Sequence, residues 1–177
     1  MEKEFYILNF IRDYISNPFL DVLMPFVSFL GSFGMIWIVL AVVLIITKKH
    51  KQLGYSLSAN LIFNFVGCNL IIKPIVARIR PYEINQSIEL LVSAPHDYSF
   101  PSGHTLFAFG AATIIFLYNK KIGALMYAFA LLMGFSRLYL YVHFPTDVAF
   151  GAFLGIIFAI ISHWLEKEVK SLINIKK

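Results

Sequence analysis

One cysteine, Cys68, is all the sequence contains, and it sits in an apolar run, so an intrachain disulfide and a cysteine-rich metal site are both excluded. Charge is also scarce: Asp, Glu, Lys and Arg make up 14% of the 177 residues, against about 25% in an ordinary soluble domain. The 15 basic residues outnumber the 10 acidic ones. They are split into small groups between apolar runs, which argues against nucleic acid as a partner. A cleavable signal peptide is not expected, because the first apolar stretch carries Arg12 and Asp13 and has no small-residue cleavage site.

Hydrophobic residues make up 59% of the chain, with a mean hydropathy of +0.74. The length suits a single domain, residues 1–177. Residues 4–17 predict an amphipathic helix. Asn9, Arg12, Asp13 and Ser16 share one face and Phe5, Leu8, Ile11 and Ile15 another. Such a segment lies in the interface plane or begins the first span, and Asn17-Pro18 ends or kinks it.

Apolar runs then follow at residues 19–30, 35–46, 53–72, 105–118, 122–139 and 148–165, the first two separated by a tight turn at residues 31–34. The pattern predicts an all-α integral membrane bundle of six transmembrane helices with an N-terminal amphipathic segment. With both termini inside, Lys3, Lys48, Lys49, Lys51, Lys120, Lys121, Lys167, Lys170, Lys176 and Lys177 fall on the inner side and Lys73, Arg78, Arg80 and Arg137 on the outer. Asn60 and Asn64, at i, i+4 spacing, read as glue between helices, and Gly151 and Gly155 as a close-packing step. His96 and Asp97, in the long connection over residues 73–100, read as solvated loop residues.

Three polar islands stand out, because charge beside apolar runs is costly and so points to function. Lys73, Arg78 and Arg80 cluster at a span end, where lysine supplies a point charge and arginine a planar fork for phosphate oxygens. Pro101-Ser102-Gly103-His104 directly precedes a span; a serine N-cap, a glycine and the free N–H groups of a helix start make an anion site, with His104 placed to exchange a proton. The third, Ser136 to Asp147, holds Arg137, His143 and Asp147. The carboxylate four residues after His143 is spaced to fix its tautomer and leave the other ring nitrogen free to attack. A bland alternative stands beside each: a basic flank, an ordinary capped helix, a structural His–Asp contact. Together they form an inventory for phosphoryl transfer without a metal, since Lys and Arg in the same site repel a cation.

The motifs Lys73-x6-Arg80-Pro81, Pro101-Ser102-Gly103-His104 and Ser136-Arg137-x5-His143-x3-Asp147 resemble, in order and spacing, those of the type 2 phosphatidic acid phosphatase family, membrane lipid phosphatases that share a site with vanadium haloperoxidases. The motif-bearing region is 73–147. The resemblance implies that His143 attacks phosphorus to form a phosphohistidine, Asp147 orients it, and His104 protonates the leaving oxygen and then helps activate water. It further implies that Lys73, Arg80, Ser102, Gly103 and Arg137 hold the phosphate, with no metal and no cofactor. Arg78 lies outside the motif and reads as a flank. Tyr141 stands where membrane members often have a small residue, a difference expected to reshape the mouth of the site.

The expected protein is a bacterial plasma-membrane lipid phosphatase whose site faces the extracytoplasmic side. Its partners are the bilayer and a lipid phosphate. Undecaprenyl diphosphate is the favoured substrate; phosphatidylglycerophosphate and phosphatidate are the alternatives. A non-catalytic lipid-phosphate-binding protein or transporter is the rival from another class.

Overall fold

In a computed structural model of the chain, which describes residues 1–48 and 50–175, the regular elements among the described residues are all helical. Lys49, Lys176 and Lys177, assigned above to the inner side, lie outside the described residues, as does the side chain of Lys170. Helix α1 (Glu2–Phe10) runs on as a π-helical turn, Ile11–Ile15. Asn17 then breaks the chain and caps α2 (Pro18–Leu30), accepting from the Phe19 and Leu20 N–H groups at 3.1 Å. Pro18 suits the first helical position, where its missing N–H costs nothing. A short 3-10 turn, Ser32–Gly34, leads into α3 (Met35–Ile46), with Gly34 in the left-handed region that only glycine adopts freely (φ 67°).

Helix α4 (Lys51–Asn64) continues through a π-helical stretch, Phe65–Ile72, into α5 (Lys73–Val76). Ala77, also left-handed (φ 46°), ends that run. The short α6 (Pro81–Ile84) follows, with the Glu83 carboxylate accepting from the Arg80 N–H at 2.8 Å. After an irregular connection come α7 (Gly103–Tyr118), α8 (Lys120–Tyr139) and α9 (Pro145–Ile175).

Six transmembrane helices is not what the chain builds. Among the described residues, three stretches are long and apolar enough to cross a bilayer, Lys51–Ile84, Lys120–Tyr139 and Pro145–Glu168, and a fourth if α2 and α3 count as one span bent by 49°. The reason is length. Helices α2, α3 and α7 have 13, 12 and 16 residues. At 1.5 Å per residue they reach about 20, 18 and 24 Å, short of a hydrocarbon core of about 30 Å. The expected tight turn at residues 31–34 is present, the Gly34 N–H donating to the Gly31 carbonyl at 3.1 Å, and it bends the chain between α2 and α3. One basic residue departs from the expected sides: Lys3, assigned to the inner side with Lys48, Lys51, Lys120 and Lys121, stands beside Glu4, which contacts Arg78 at the site end.

The short helix α7 is the centre of the bundle. It packs on α9, α8 and α4, burying Ala108, Ala111, Ala112 and Ile114 against Leu57, Trp37, Met133 and Ala159. Small residues allow this close approach. A Cβ on Gly151 would stand 2.7 Å from the Ser102 carbonyl oxygen, and one on Gly155 would strike that of Leu106, so the predicted close-packing step is present. Asn60 and Asn64 bond to each other at 3.0 Å within α4 and press on Gly110 of α7.

Helix α1 and the π-helical turn after it lay Leu8 and Ile11 onto the α8–α9 connection, where Leu8 meets Tyr141 and Phe144. Tyr141 takes a left-handed backbone (φ 59°) and donates to Asn9 Oδ1 at 2.8 Å. It therefore faces α1 instead of shaping the mouth of the site.

Candidate active site

The starts of α7 and α9 and the ends of α5 and α8 converge at one end of the bundle. The packing of α7 against α8 and α9 holds them together, and the Ser102 N–H donates to the Asp147 carbonyl at 3.0 Å. A cavity of about 1010 Å³ opens there, lined by Lys73, Arg80, Gly103, His104, Arg137 and His143. Six of the eight residues singled out from the sequence thus share one wall. Ser102 and Asp147 stand behind it, both fully buried. The Ser102 hydroxyl bonds to Thr105 Oγ1 at 2.9 Å instead of capping α7, although Ser102 does occupy the cap position.

His143 is buried in the short α8–α9 connection, outside the long apolar helices. Its Nε2 lies 3.2 Å from Arg80 Nη1. A guanidinium has no acceptor, so Nε2 must present its lone pair and Nδ1 carries the proton. Nδ1 faces Ser99 Oγ at 3.4 Å and Asp147 Oδ2 at 3.6 Å. The expected direct bond to Asp147 is therefore replaced by a relay: Ser99 accepts from Nδ1 and donates to Asp147 Oδ2 at 2.5 Å. Burial, followed by the charges of Arg80, Arg137 and Lys73, holds His143 well below the usual histidine range. The neutral form is thus the resting one.

Asp147 is held on every side. Its Oδ2 also accepts from the Phe144 N–H at 2.8 Å, and its Oδ1 from Arg78 Nη1 at 2.5 Å. Arg80 is fixed by Val142 O at 2.7 Å, Asp97 O at 2.8 Å and Asp97 Oδ1 at 2.6 Å. Lys73 contacts Asp97 Oδ2, and Arg137 contacts the Ser28 hydroxyl of α2. Two polar atoms of the site, Arg137 Nε and His104 Nε2, are buried without a hydrogen-bond partner. Each such atom costs roughly 1–3 kcal/mol unless a ligand satisfies it, which suits a wall built to meet oxygens. Among the described residues, no group of three or more His, Cys, Asp or Glu side chains is arranged to hold a metal.

Several contributors escaped the sequence reading. Asp97 is not a solvated bystander: burial pushes its carboxyl up, but the Lys73 hydrogen bond and the charges of Lys73 and Arg80 outweigh this and hold it at about 2. Arg78 is no mere flank: it donates to Asp147 Oδ1 and to Glu4 Oε2, contacts that its position two residues before Arg80 did not reveal. Ser99, two residues before Pro101, was adjacent to a motif but not within it. Ser28 and Glu4 carried no signal at all.

A family model described as the PAP2 superfamily matches residues 49–170. The chain is 32% identical over 148 residues to the bacitracin transport permease protein BcrC of Bacillus licheniformis, covering 81% of this chain and 72% of that one. It is 34% identical over 130 residues to the undecaprenyl-diphosphatase of Sulfolobus acidocaldarius, covering 72% of this chain and 63% of the relative. Among solved structures it is similar to Aquifex aeolicus LpxE, with a TM-score of 0.78, 33% identity, and coverage of 90% of this chain and 93% of the other.

Proposed function

Since the chain belongs to the PAP2 superfamily of membrane lipid phosphatases, we propose that it releases phosphate from an isoprenoid diphosphate, undecaprenyl diphosphate in particular, through a phosphohistidine. Membership makes it an integral membrane hydrolase of phosphate or diphosphate esters. The observation that carries the finer reading is that His143 lines the same cavity as Lys73, Arg80 and Arg137, with its unprotonated Nε2 3.2 Å from Arg80 Nη1. The S. acidocaldarius relative's name supports the choice of substrate.

In this reading Nε2 forms a bond to phosphorus as the bond from phosphorus to the leaving oxygen breaks, and His104 supplies that oxygen's proton. Water then attacks phosphorus, giving its proton to His104; the N–P bond breaks and returns its electron pair to Nε2. The cations hold the equatorial oxygens as charge builds on them, together with the Gly103 N–H at the start of α7. Ser102 supports that turn from behind. The Asp147 carboxylate stabilises the imidazole while it carries phosphorus.

The site end faces the extracytoplasmic side. Exposed Lys48, Lys51, Lys120 and Lys121 gather at the α3–α4 and α7–α8 junctions, the opposite end of the bundle, where the positive-inside rule puts the cytoplasm.

A panel of isoprenoid diphosphate, phosphatidylglycerophosphate and phosphatidate in detergent tests the reading. Phosphate release is expected to be fastest from the isoprenoid, abolished by His143→Ala and unchanged by EDTA. Activity lost to EDTA and restored by a divalent ion would bring in a metal. Absence of release from the whole panel would favour the transport that the name of the B. licheniformis relative suggests.

A further inference from the structure

Arg78 lies behind Asp147, away from the cavity wall. Ala77 turns the chain there, and the Arg78 carbonyl accepts from the Ser99 N–H at 2.8 Å, so two irregular segments of the site are tied at this point. The guanidinium stacks 4.1 Å over the Phe144 ring. Its Nη1 donates to Asp147 Oδ1 at 2.5 Å and to Thr146 Oγ1 at 2.7 Å, and its Nη2 donates to Glu4 Oε2 at 2.6 Å. The other Glu4 oxygen accepts from Thr146 Oγ1 at 2.5 Å. Glu4 belongs to α1, well before the residues 49–170 that the family model matches.

Two consequences follow. A carboxylate as fully buried as Asp147 is costly to leave without a charged partner, and the Arg78 guanidinium is in contact with it. Because Arg78 Nη1 fixes Oδ1 while Ser99 and the Phe144 N–H fix Oδ2, the carboxylate cannot rotate away from the relay to His143.

We propose that Arg78 is a positioning residue for the reaction at His143, and that Glu4 holds Arg78 in place, so that the N-terminal helix is part of the catalytic apparatus. This rests on the phosphohistidine reading above. Since Arg78 does not reach the cavity, its loss slows chemistry without loosening substrate.

Steady-state kinetics of the purified full chain, with Arg78→Gln, Arg78→Lys and Glu4→Gln beside wild type and His143→Ala, test it. Arg78→Gln is expected to lower kcat about 100-fold with KM within about twofold, a pattern that marks an interaction made only in the transition state. Arg78→Lys, which keeps the charge, recovers about tenfold of that loss, and Glu4→Gln lowers kcat about fivefold. A raised KM with kcat intact would make Arg78 a phosphate ligand and overturn the proposal. Where Arg78→Gln does not fold, as judged by gel filtration, Glu4→Gln decides: wild-type kcat there overturns the coupling to α1. A wild-type chain that releases no phosphate fails the functional reading and this proposal with it. An active wild type with inactive His143→Ala, but full kcat in Arg78→Gln and Glu4→Gln, fails this proposal alone.

Discussion

At 2.6 Å from Arg80 and in contact with Lys73, the Asp97 carboxylate takes the place of an anionic ligand on those two cations. A phosphate that binds there must displace it. Asp97→Asn is therefore expected to tighten competitive inhibition by vanadate and by inorganic phosphate severalfold, measured as Ki; unchanged or weaker inhibition would remove Asp97 from this role. The sign with pH is set by the lowered carboxyl pKa. The ion pairs persist above the ordinary carboxylate range and are lost only as pH falls through about 2, so the difference between variant and wild type holds equally at mildly acidic and neutral pH. At this scale the sequence spoke clearly wherever residue type and spacing sufficed: His143, His104, Arg137, Arg80 and Lys73 all meet at the cavity. It pointed the wrong way on Asp97, which read as a solvated loop residue, because an acid in a long irregular connection is placed by tertiary contacts that no local period encodes.

Elements were legible by type and less so by continuity. The apolar runs are helices, and Asn17-Pro18 marks a real boundary. Apolar length alone, however, does not tell a hairpin from a bend, and α2 and α3 continue through 49° instead of doubling back. Nor does it reveal that the short α7 is the buried centre of the bundle. The Gly151 step in α9 carries its own prediction. A methyl there meets the Ser102 carbonyl at 2.7 Å, and backbone cannot swing aside as a side chain can. Gly151→Ala should destabilise the protein by about 1–3 kcal/mol, the usual cost of overpacking. Because the Ser102 N–H also donates to the Asp147 carbonyl at 3.0 Å, activity should fall further than stability. A thermal melt in detergent beside a turnover assay separates the two losses, and an unshifted melting temperature would disprove the close contact.

For the whole molecule, the solitary Cys68 becomes an advantage. It is buried, so single cysteines introduced at exposed positions are read against a low background. In intact cells, Ser87→Cys at the site end is expected to react with a membrane-impermeant thiol reagent, and Lys121→Cys at the far end only after permeabilisation; the reverse pattern would turn the molecule over. On the proposed function, the Asp97 contact also shapes the end of each turnover. A carboxylate tethered beside its two cations competes at a local concentration of the order of millimolar or more, whatever the surrounding phosphate. It re-enters as soon as inorganic phosphate loosens, so the chain carries its own means of clearing product and keeps working where free phosphate accumulates.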